Sequence, residues 1–586
     1  MRLLYAGVFV LASLVAPVLA DQPIRREDIA DEINRVVKDG ESFDRYYTVR
    51  WSEGAIDRRE AFLNEQLNAL MNAKWALHTG NNDFSILTTS AQIDAVLLRD
   101  DLRAKLAAVR LDRRQLAEMA DLLTVRAAVV PLEEARWRLE PPDCRGAAGV
   151  LSGIPATVKA AREKAEKDKP SAVVAQRTAS ALASYSRTLR DWYENSAGYL
   201  PEFSWWCAKP HEEAVRAIDD FARYLREDVA GVRGRPEDPL VGDPIGREAL
   251  LEALKNEYIA LTPEQLIDLA DREMAWCAEQ AKAAAKEMGC LDDKGEGDWR
   301  KALAKVKDDA AAPGGQAPYV VGVAKEAIEF VKTHDGGMVT VPPLCEELWK
   351  SAMLSPQTQR TLPFAVYFPQ AIGIAAPTDS MSHDDKLMAM RGNNRRFTRI
   401  VVPHELIPGH HLQGFMADRE RPYRRQFSTP FLVEGWALYW EMKLWDMGWA
   451  KSPEDRIGML FWRMHRCARI TVSLKFHLGQ MTPQQMIDFL CDNVGHERAN
   501  ATAEVRRYIG GDYSPLYQCG YMVGGKQLRA LHAELVPSKM TEKTFNDAVL
   551  KLGPIPIELI RVELTNARVA IESEPSWRFD QGKTMP

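Results

Sequence analysis

Apolar residues recur at three- and four-residue intervals along most of this chain, the spacing that lays one apolar stripe along a helix. The stretches "REDIADEINRVV", "RREAFLNEQLNALMNAKWAL", "QIDAVLLRDDLRAKLAAVRL" and "TASALASYSRTLRDWYE" all follow it. "LTPEQLIDLADREMAWCAEQAKAAAKEMG" adds an explicit start: Thr262 at the N-cap, Pro263 at the first helical position and Gln265 at the reciprocal capping-box position. Gly289 stands where a C-cap glycine belongs. The same start recurs at Thr482, Pro483 and Gln485.

Strand patterns are few. "MVTVPP" (338–343) and "PFAVYFPQAIGIAAP" (363–377) are short, β-branched or aromatic, and bounded by Pro and Gly. "VRGRPEDPLVGDPIG" (232–246) and "DDAAAPGGQAP" (308–318) are rich in breakers and read as loops or linkers. The pattern therefore predicts a mainly α fold, a large helical body with a small β-sheet close to the motif described below. An N-terminal helical region, 21–240, is expected to pack on a C-terminal helical region, 241–586, that carries the chemistry. The two are either separate units or one continuous domain.

Composition changes this picture little. The 586 residues are 46% hydrophobic and 27% charged, and the net charge of −6 gives no electrostatic case for nucleic acid or an anionic membrane surface. The first twenty residues do stand apart: one basic residue, an apolar run, then Val18 and Ala20 at the −3 and −1 positions of a cleavage site. They predict a secretory signal, residues 1–20, cut before Asp21, with an uncleaved anchor as the other reading. The expected location is exported, periplasmic or secreted, with no membrane attachment once the signal is gone. No cysteine follows closely, the first being Cys144, which argues against a lipid-anchored N-terminus. The eight cysteines are scattered singly, and Cys467, Cys491 and Cys519 read as buried thiols.

The candidate chemistry lies in "HELIPGHH", 404–411. A zinc-peptidase helix carries H-E-x-x-H, with two histidines on one face four residues apart. Here Pro408 occupies the fourth position and the next histidines follow at six and seven. Six residues turn about 600° on a regular helix, which would point His410 away from His404. Pro408 and Gly409 prevent a regular helix, and a kink there brings His410 back. His411 would lie about 10.5 Å further along an unbroken axis, so His410 is the expected ligand and His411 its neighbour. A third ligand is offered by Glu434 in "FLVEGWALYWE", a lone acid among Leu432, Val433 and Trp436, costly to bury unless paired or metal-bound. Glu441, seven residues on, either orients a ligand or is a solvated helix acid.

HELIPGHHLQ followed by EGWALYWE resembles the bacterial domain-of-unknown-function family numbered 885, whose pattern is similar to HE-x-x-PGH-x-x-Q and EGWA-x-Y-x-E. That family looks like a zincin metallopeptidase branch with expanded histidine spacing. Dipeptidyl peptidase III is a related case with one extra residue, and the Glu434 placement is similar to that of thimet-type oligopeptidases. The resemblance implies His404, His410 and Glu434 as Zn2+ ligands and Glu405 as general base. "VRRYIGGDYSPLYQCGYMVGGKQLRAL" is similar to a further block of the family, with Arg507, Tyr508, Tyr521 and Gly524 on matching positions. The Cys519-Gly520 pair departs from that block, which leaves Tyr521 either a hydrogen-bond donor to the developing oxyanion or a buried structural tyrosine, with Tyr508 and Tyr517 as the other donors to consider. His465 and His477 read as core or surface histidines and His211 as a surface one. The basic "RGNNRRFTR" before the motif is either a carboxylate-binding stretch or a solvated charge run.

The resulting expectation is an exported zinc metallopeptidase acting on peptides or oligopeptides, with an extended substrate pairing along "FAVYFP". The alternatives are a catalytically inactive periplasmic binding or scaffold protein and a zinc hydrolase of other amides.

Overall fold

Both Thr-Pro-x-Gln starts close as capping boxes in the computed structural model, which describes residues 28–73, 84–235, 238–359, 362–511, 513–580 and 582. Thr262 Oγ1 accepts from Gln265 N–H at 3.3 Å, and the Gln265 side chain accepts from Thr262 N–H at 3.0 Å. The helix they open, Pro263–Glu287, ends before Gly289, whose φ of +67° suits glycine. The described parts of the four periodic stretches fall, but for a few terminal residues, in helices Ala30–Tyr46, Glu53–Met71, Thr89–Met119 and Ala172–Glu194. The expected cleavage site at Ala20 lies outside the described residues. No helix among the described residues is long and apolar enough to cross a membrane.

The sheet is small, as expected, but is not composed as the pattern predicts. It has three strands, β1 (Lys350–Met353), β2 (Val366–Phe368) and β3 (Ala371–Ile374), in the order β1-β3-β2. β3 is buried throughout and pairs parallel with β1 and antiparallel with β2, which leaves β2 at an edge. Residues 338–343 form no strand. Pro342 and Pro343 carry no N–H, and the segment's polar groups find partners outside any sheet: Thr340 N–H donates to Asp547, Asn546 donates to the Met338 carbonyl, and Met338 N–H donates to the Val331 carbonyl. β1 was invisible in the pattern because all four of its residues are exposed.

N-terminal and C-terminal regions share a core. One hydrophobic cluster runs from Ile29 and Ile33 through Leu182 and Phe221 to Trp436, Trp440 and Leu559. Polar anchors cross the same boundary. Arg424 donates to Asp94 at 2.7 Å with both side chains fully buried, and Arg99 donates to the carbonyl of Ser573 at 2.7 Å.

Six helices of the half carrying the motif position the site: α1 (Arg395–Glu405), α2 (His410–Glu420), α3 (Pro430–Asp446), α4 (Pro453–His477), α5 (Arg498–Ile509) and α6 (Tyr517–Leu535). α4 is buried on nearly every face. α3 and α6 approach at backbone distance through glycines: a Cβ on Gly435 would lie 2.6 Å from the Gly524 Cα. That approach sets where Glu434, the next residue on α3, meets α6. Gly435→Ala should therefore force the helices apart and destabilise the fold by about 1–3 kcal/mol, the usual cost of overpacking. The urea unfolding midpoint measures it, and an unchanged midpoint would mean the pair has slack.

Candidate metal centre

The interruption in HELIPGHH is a break between two helices. Asn394 caps α1 by accepting from the N–H groups of Arg396 and Phe397, both at 3.0 Å. α1 ends at Glu405 as Leu406 leaves helical dihedrals (φ −107°, ψ −107°), and Pro408 offers no N–H to continue it. Gly409 then lies so close to the His404 carbonyl that a Cβ would sit 1.8 Å from the oxygen. Trp436 of α3 donates its indole N–H to the Pro408 carbonyl at 2.8 Å and fixes the turn from outside. α2 restarts at His410, and its imidazole meets that of His404 edge-on, with ring centroids 4.8 Å apart.

Glu434 faces both rings from α3. Its Oε2 lies 3.6 Å from His404 Nε2 and 3.2 Å from His410 Nε2, and this oxygen is buried without a hydrogen-bond partner. The other oxygen, Oε1, accepts from the Tyr517 hydroxyl on α6. Glu441, two turns along α3, is buried and lies 2.6 Å from His404 Nδ1. A carboxylate only accepts, so Nδ1 is the donor, which leaves Nε2, on the Glu434 side, as the nitrogen that would face a cation.

These partners dominate the protonation of the cluster. Burial alone would lower His404, but the carboxylates of Glu434 and Glu441 outweigh it and hold the imidazole up at about 9. Burial would raise Glu434, yet the flanking histidines hold it well below the usual range. Glu405 goes the other way, with burial pushing it up.

His404, Glu405 and His410 present possible ligand atoms within 4.8 Å of one another, so two acids compete for the third position. The geometry favours Glu434. Its unpartnered oxygen lies 3.6 Å from one Nε2 atom and 3.2 Å from the other. Two imidazoles and a carboxylate, with a second carboxylate behind one imidazole, form a donor set that fits zinc.

The cavity holds about 430 Å³ and is lined by His404, Glu405, His410 and Glu434, by β2 residues Val366 and Tyr367, and by Tyr513, Tyr517 and Tyr521. Tyr521 lies nearly parallel to His404 with centroids 6.2 Å apart. Gly520, part of the unusual Cys-Gly pair, sits against the Pro430 backbone, where a Cβ would be 2.7 Å from its carbonyl. His411 turns away from the cluster: its Nε2 donates to the Cys345 carbonyl at 2.9 Å, and its Nδ1 lies 3.3 Å from the Tyr367 hydroxyl. Arg507 lines the cavity, while Tyr508 is buried beside it and donates to Glu504 at 2.5 Å.

Several expectations need correction. The basic 391–399 stretch binds no cavity ligand. Arg391, Arg395, Arg396 and Arg399 are paired with Asp308, Asp309, Asp455 and Glu326, and none of the four lines the cavity. His211 is half-buried and stacked on Tyr193 at 4.2 Å, not a surface residue. Cys491 is only partly buried. Among the described residues all eight cysteines are free thiols. His465 and His477 are core histidines, as one of the two readings had it.

Sequence reasoning missed Arg466, Arg469 and Glu504, which line the cavity, and gave Tyr517 only a reserve role. A signal existed: Arg463, Arg466 and Arg469 repeat every three residues inside an otherwise apolar helix.

Comparison with known proteins gives a family and a fold. A protein from Shewanella oneidensis, described as a putative lipoprotein of unknown function, superposes with a TM-score of 0.67 at 18% identity, covering 92% of this chain and 99% of its own. A second putative lipoprotein, from Colwellia psychrerythraea, gives a TM-score of 0.58 at 15% identity over 92% and 98%. No curated protein matches. The family described as bacterial protein of unknown function, DUF885, matches residues 38–564, and with nearly the whole length covered the chain belongs to it.

Proposed function

We propose that this protein is an exported, zinc-dependent peptidase that hydrolyses peptides or oligopeptides. One observation carries the reading: the buried, unpartnered Glu434 Oε2 between two imidazole nitrogens, with Glu405 beside it at the cavity wall. An orphaned buried carboxylate oxygen is costly, and a cation on it removes the cost. His404, His410 and Glu434 would hold the ion, with Glu441 fixing the His404 tautomer and Tyr517 fixing the Glu434 carboxylate. Zinc, when bound, supplies a Lewis acid for the scissile carbonyl and acidifies water.

The remaining steps belong to the chain. Glu405, made more basic by burial, takes the proton of the attacking water and returns it to the leaving amine. Tyr521 lines the same cavity and is the donor assigned to the developing oxyanion. β2 offers a free edge along which an extended peptide pairs, and its residues line the cavity. The leader-like residues 1–20 support export to the periplasm or medium, where peptides are the partners expected.

Elemental analysis of purified protein should find about one zinc per chain, about none in His410→Ala, and an undiminished content in His411→Ala. Loss from His411→Ala with retention in His410→Ala would exchange their roles. Glu405→Gln should keep its zinc and lose roughly 10²–10⁴-fold in turnover of a peptide pool. A rate near that of the unmodified protein would remove Glu405 as the base. Tyr521→Phe should lower kcat by roughly 10²–10³ with KM and zinc little changed, the size expected for one oxyanion donor. A fall in thermal stability with normal kcat would instead make Tyr521 structural.

A further inference from the structure

One side of the cavity next to the candidate metal centre gathers three arginines. Arg466 and Arg469, one turn apart on α4, and Arg507 on α5 all line it. Arg466 and Arg469 are 5% and 3% exposed. Their neutralisation is incomplete. Glu504 accepts from Arg469 Nη2 at 2.8 Å and from Arg507 Nη2 at 2.8 and 2.9 Å. Arg466 has only Glu441, at 3.5 Å, and that carboxylate is already bound to His404. Three guanidinium groups thus share Glu504 and part of Glu441, with Glu405 the other carboxylate whose charge acts on Arg466.

Their donors are incompletely used as well. Arg466 Nε, Arg469 Nη1 and Arg507 Nε are buried without hydrogen-bond partners. Tyr521 holds two of the groups in place, its ring lying 4.5 Å from the Arg466 guanidinium carbon and 4.4 Å from that of Arg469. The same ring lies 6.2 Å from His404, so the cations stand one aromatic ring away from the metal ligands. Buried cations with unspent planar donors are costly alone and suited to an anion that accepts in a forked geometry, above all a carboxylate.

We propose that Arg466, Arg469 and Arg507 bind the free C-terminal carboxylate of the substrate, which makes the protein an exopeptidase acting from the carboxyl end. The inference rests on the peptidase reading and names its substrate class. A peptide residue spans about 3.3–3.6 Å, and a separation of one ring leaves room for one or two residues between the anchored carboxylate and the scissile bond. The product is a single amino acid or a dipeptide. β2 contributes to the same cavity wall and supports the extended part of the chain on the other side of the cut.

The test compares N-acetylated peptides bearing a free C-terminus, the same peptides as C-terminal amides, and amides with an internal glutamate. Cleavage by the zinc-loaded full chain is read by mass spectrometry, and binding to the Glu405→Gln variant by calorimetry. The free acids should bind roughly 10²-fold or more tightly than the amides, as expected for loss of one partner of a buried charge pair, and lose one or two C-terminal residues. Blocking the N-terminus should change nothing. Arg507→Gln should abolish the preference with zinc retained, and Arg507→Lys should recover part of it. Equal cleavage and binding of acids and amides overturn the inference and leave the peptidase reading standing. Internal-glutamate amides that match the acids overturn it in favour of side-chain recognition. Failure to bind or cleave any peptide overturns both readings. The acid–amide comparison uses no arginine variant, so it decides even if Arg507→Gln does not fold.

Discussion

Burial of the Glu434 carboxylate is the constraint on which the rest of the site depends. A carboxylate removed from water needs compensating charge or hydrogen bonds on both oxygens, or it takes up a proton. Tyr517 serves one oxygen and the two imidazoles face the other. Each compensating group is itself buried and needs its own partner: His404 rests on Glu441, and Glu441 on Arg466. The chain of alternating charges runs inward from the cavity wall to α4. This gives Arg466 of α4 its place beside the centre, while Arg463, one turn earlier, is turned to Glu273 instead.

The shared core gives the N-terminal helices a physical relation to that centre. Arg424 lies between α2 and α3 and is tied to Asp94 in the long helix Thr89–Met119. The same hydrophobic cluster includes Ile407 from the break in the motif and Trp436 from α3. Displacement of the N-terminal helices would therefore be felt at the turn that brings His410 to His404. In the described residues, the segment joining the regions near residue 240 is loop, but the packing does not divide there.

Much of this was legible in the chain because it depends on local rules. Helix starts at Thr262 and Thr482 follow from side chains three residues apart, and the mainly helical fold follows from periodicity. The break at Pro408 was readable because a missing N–H is a local fact. Glu434 could be singled out because an acid on an apolar face has few explanations. What stayed hidden depends on pairing between distant segments. β1 is wholly exposed and joins the sheet only because β3 lies beside it. Residues 338–343 have strand composition, yet Asp547 and Asn546, some two hundred positions away, satisfy their backbone. The basic 391–399 stretch and the α4 arginines look alike as charges. Only their place in the fold separates them: the arginines of 391–399 lie away from the cavity, whereas Arg466 and Arg469 line it.

The expanded histidine spacing changes what fixes the two imidazoles relative to each other. In an unbroken H-E-x-x-H helix the two imidazoles and the glutamate are held by one backbone. Here His404 and Glu405 end α1, His410 begins α2, and the relation between them depends on the turn. That turn is held by α3: Trp436 binds the Pro408 carbonyl, and Gln413 of α2 donates to the Leu432 carbonyl at 3.1 Å. α3 also supplies Glu434 and Glu441. One helix therefore provides the third ligand candidate, the group that orients the first histidine, and both polar ties that set the second. The Gly435–Gly524 approach fixes that helix against α6, which brings Tyr517 and Tyr521. The rigidity lost by breaking the motif helix is restored by concentrating its constraints on a single neighbour.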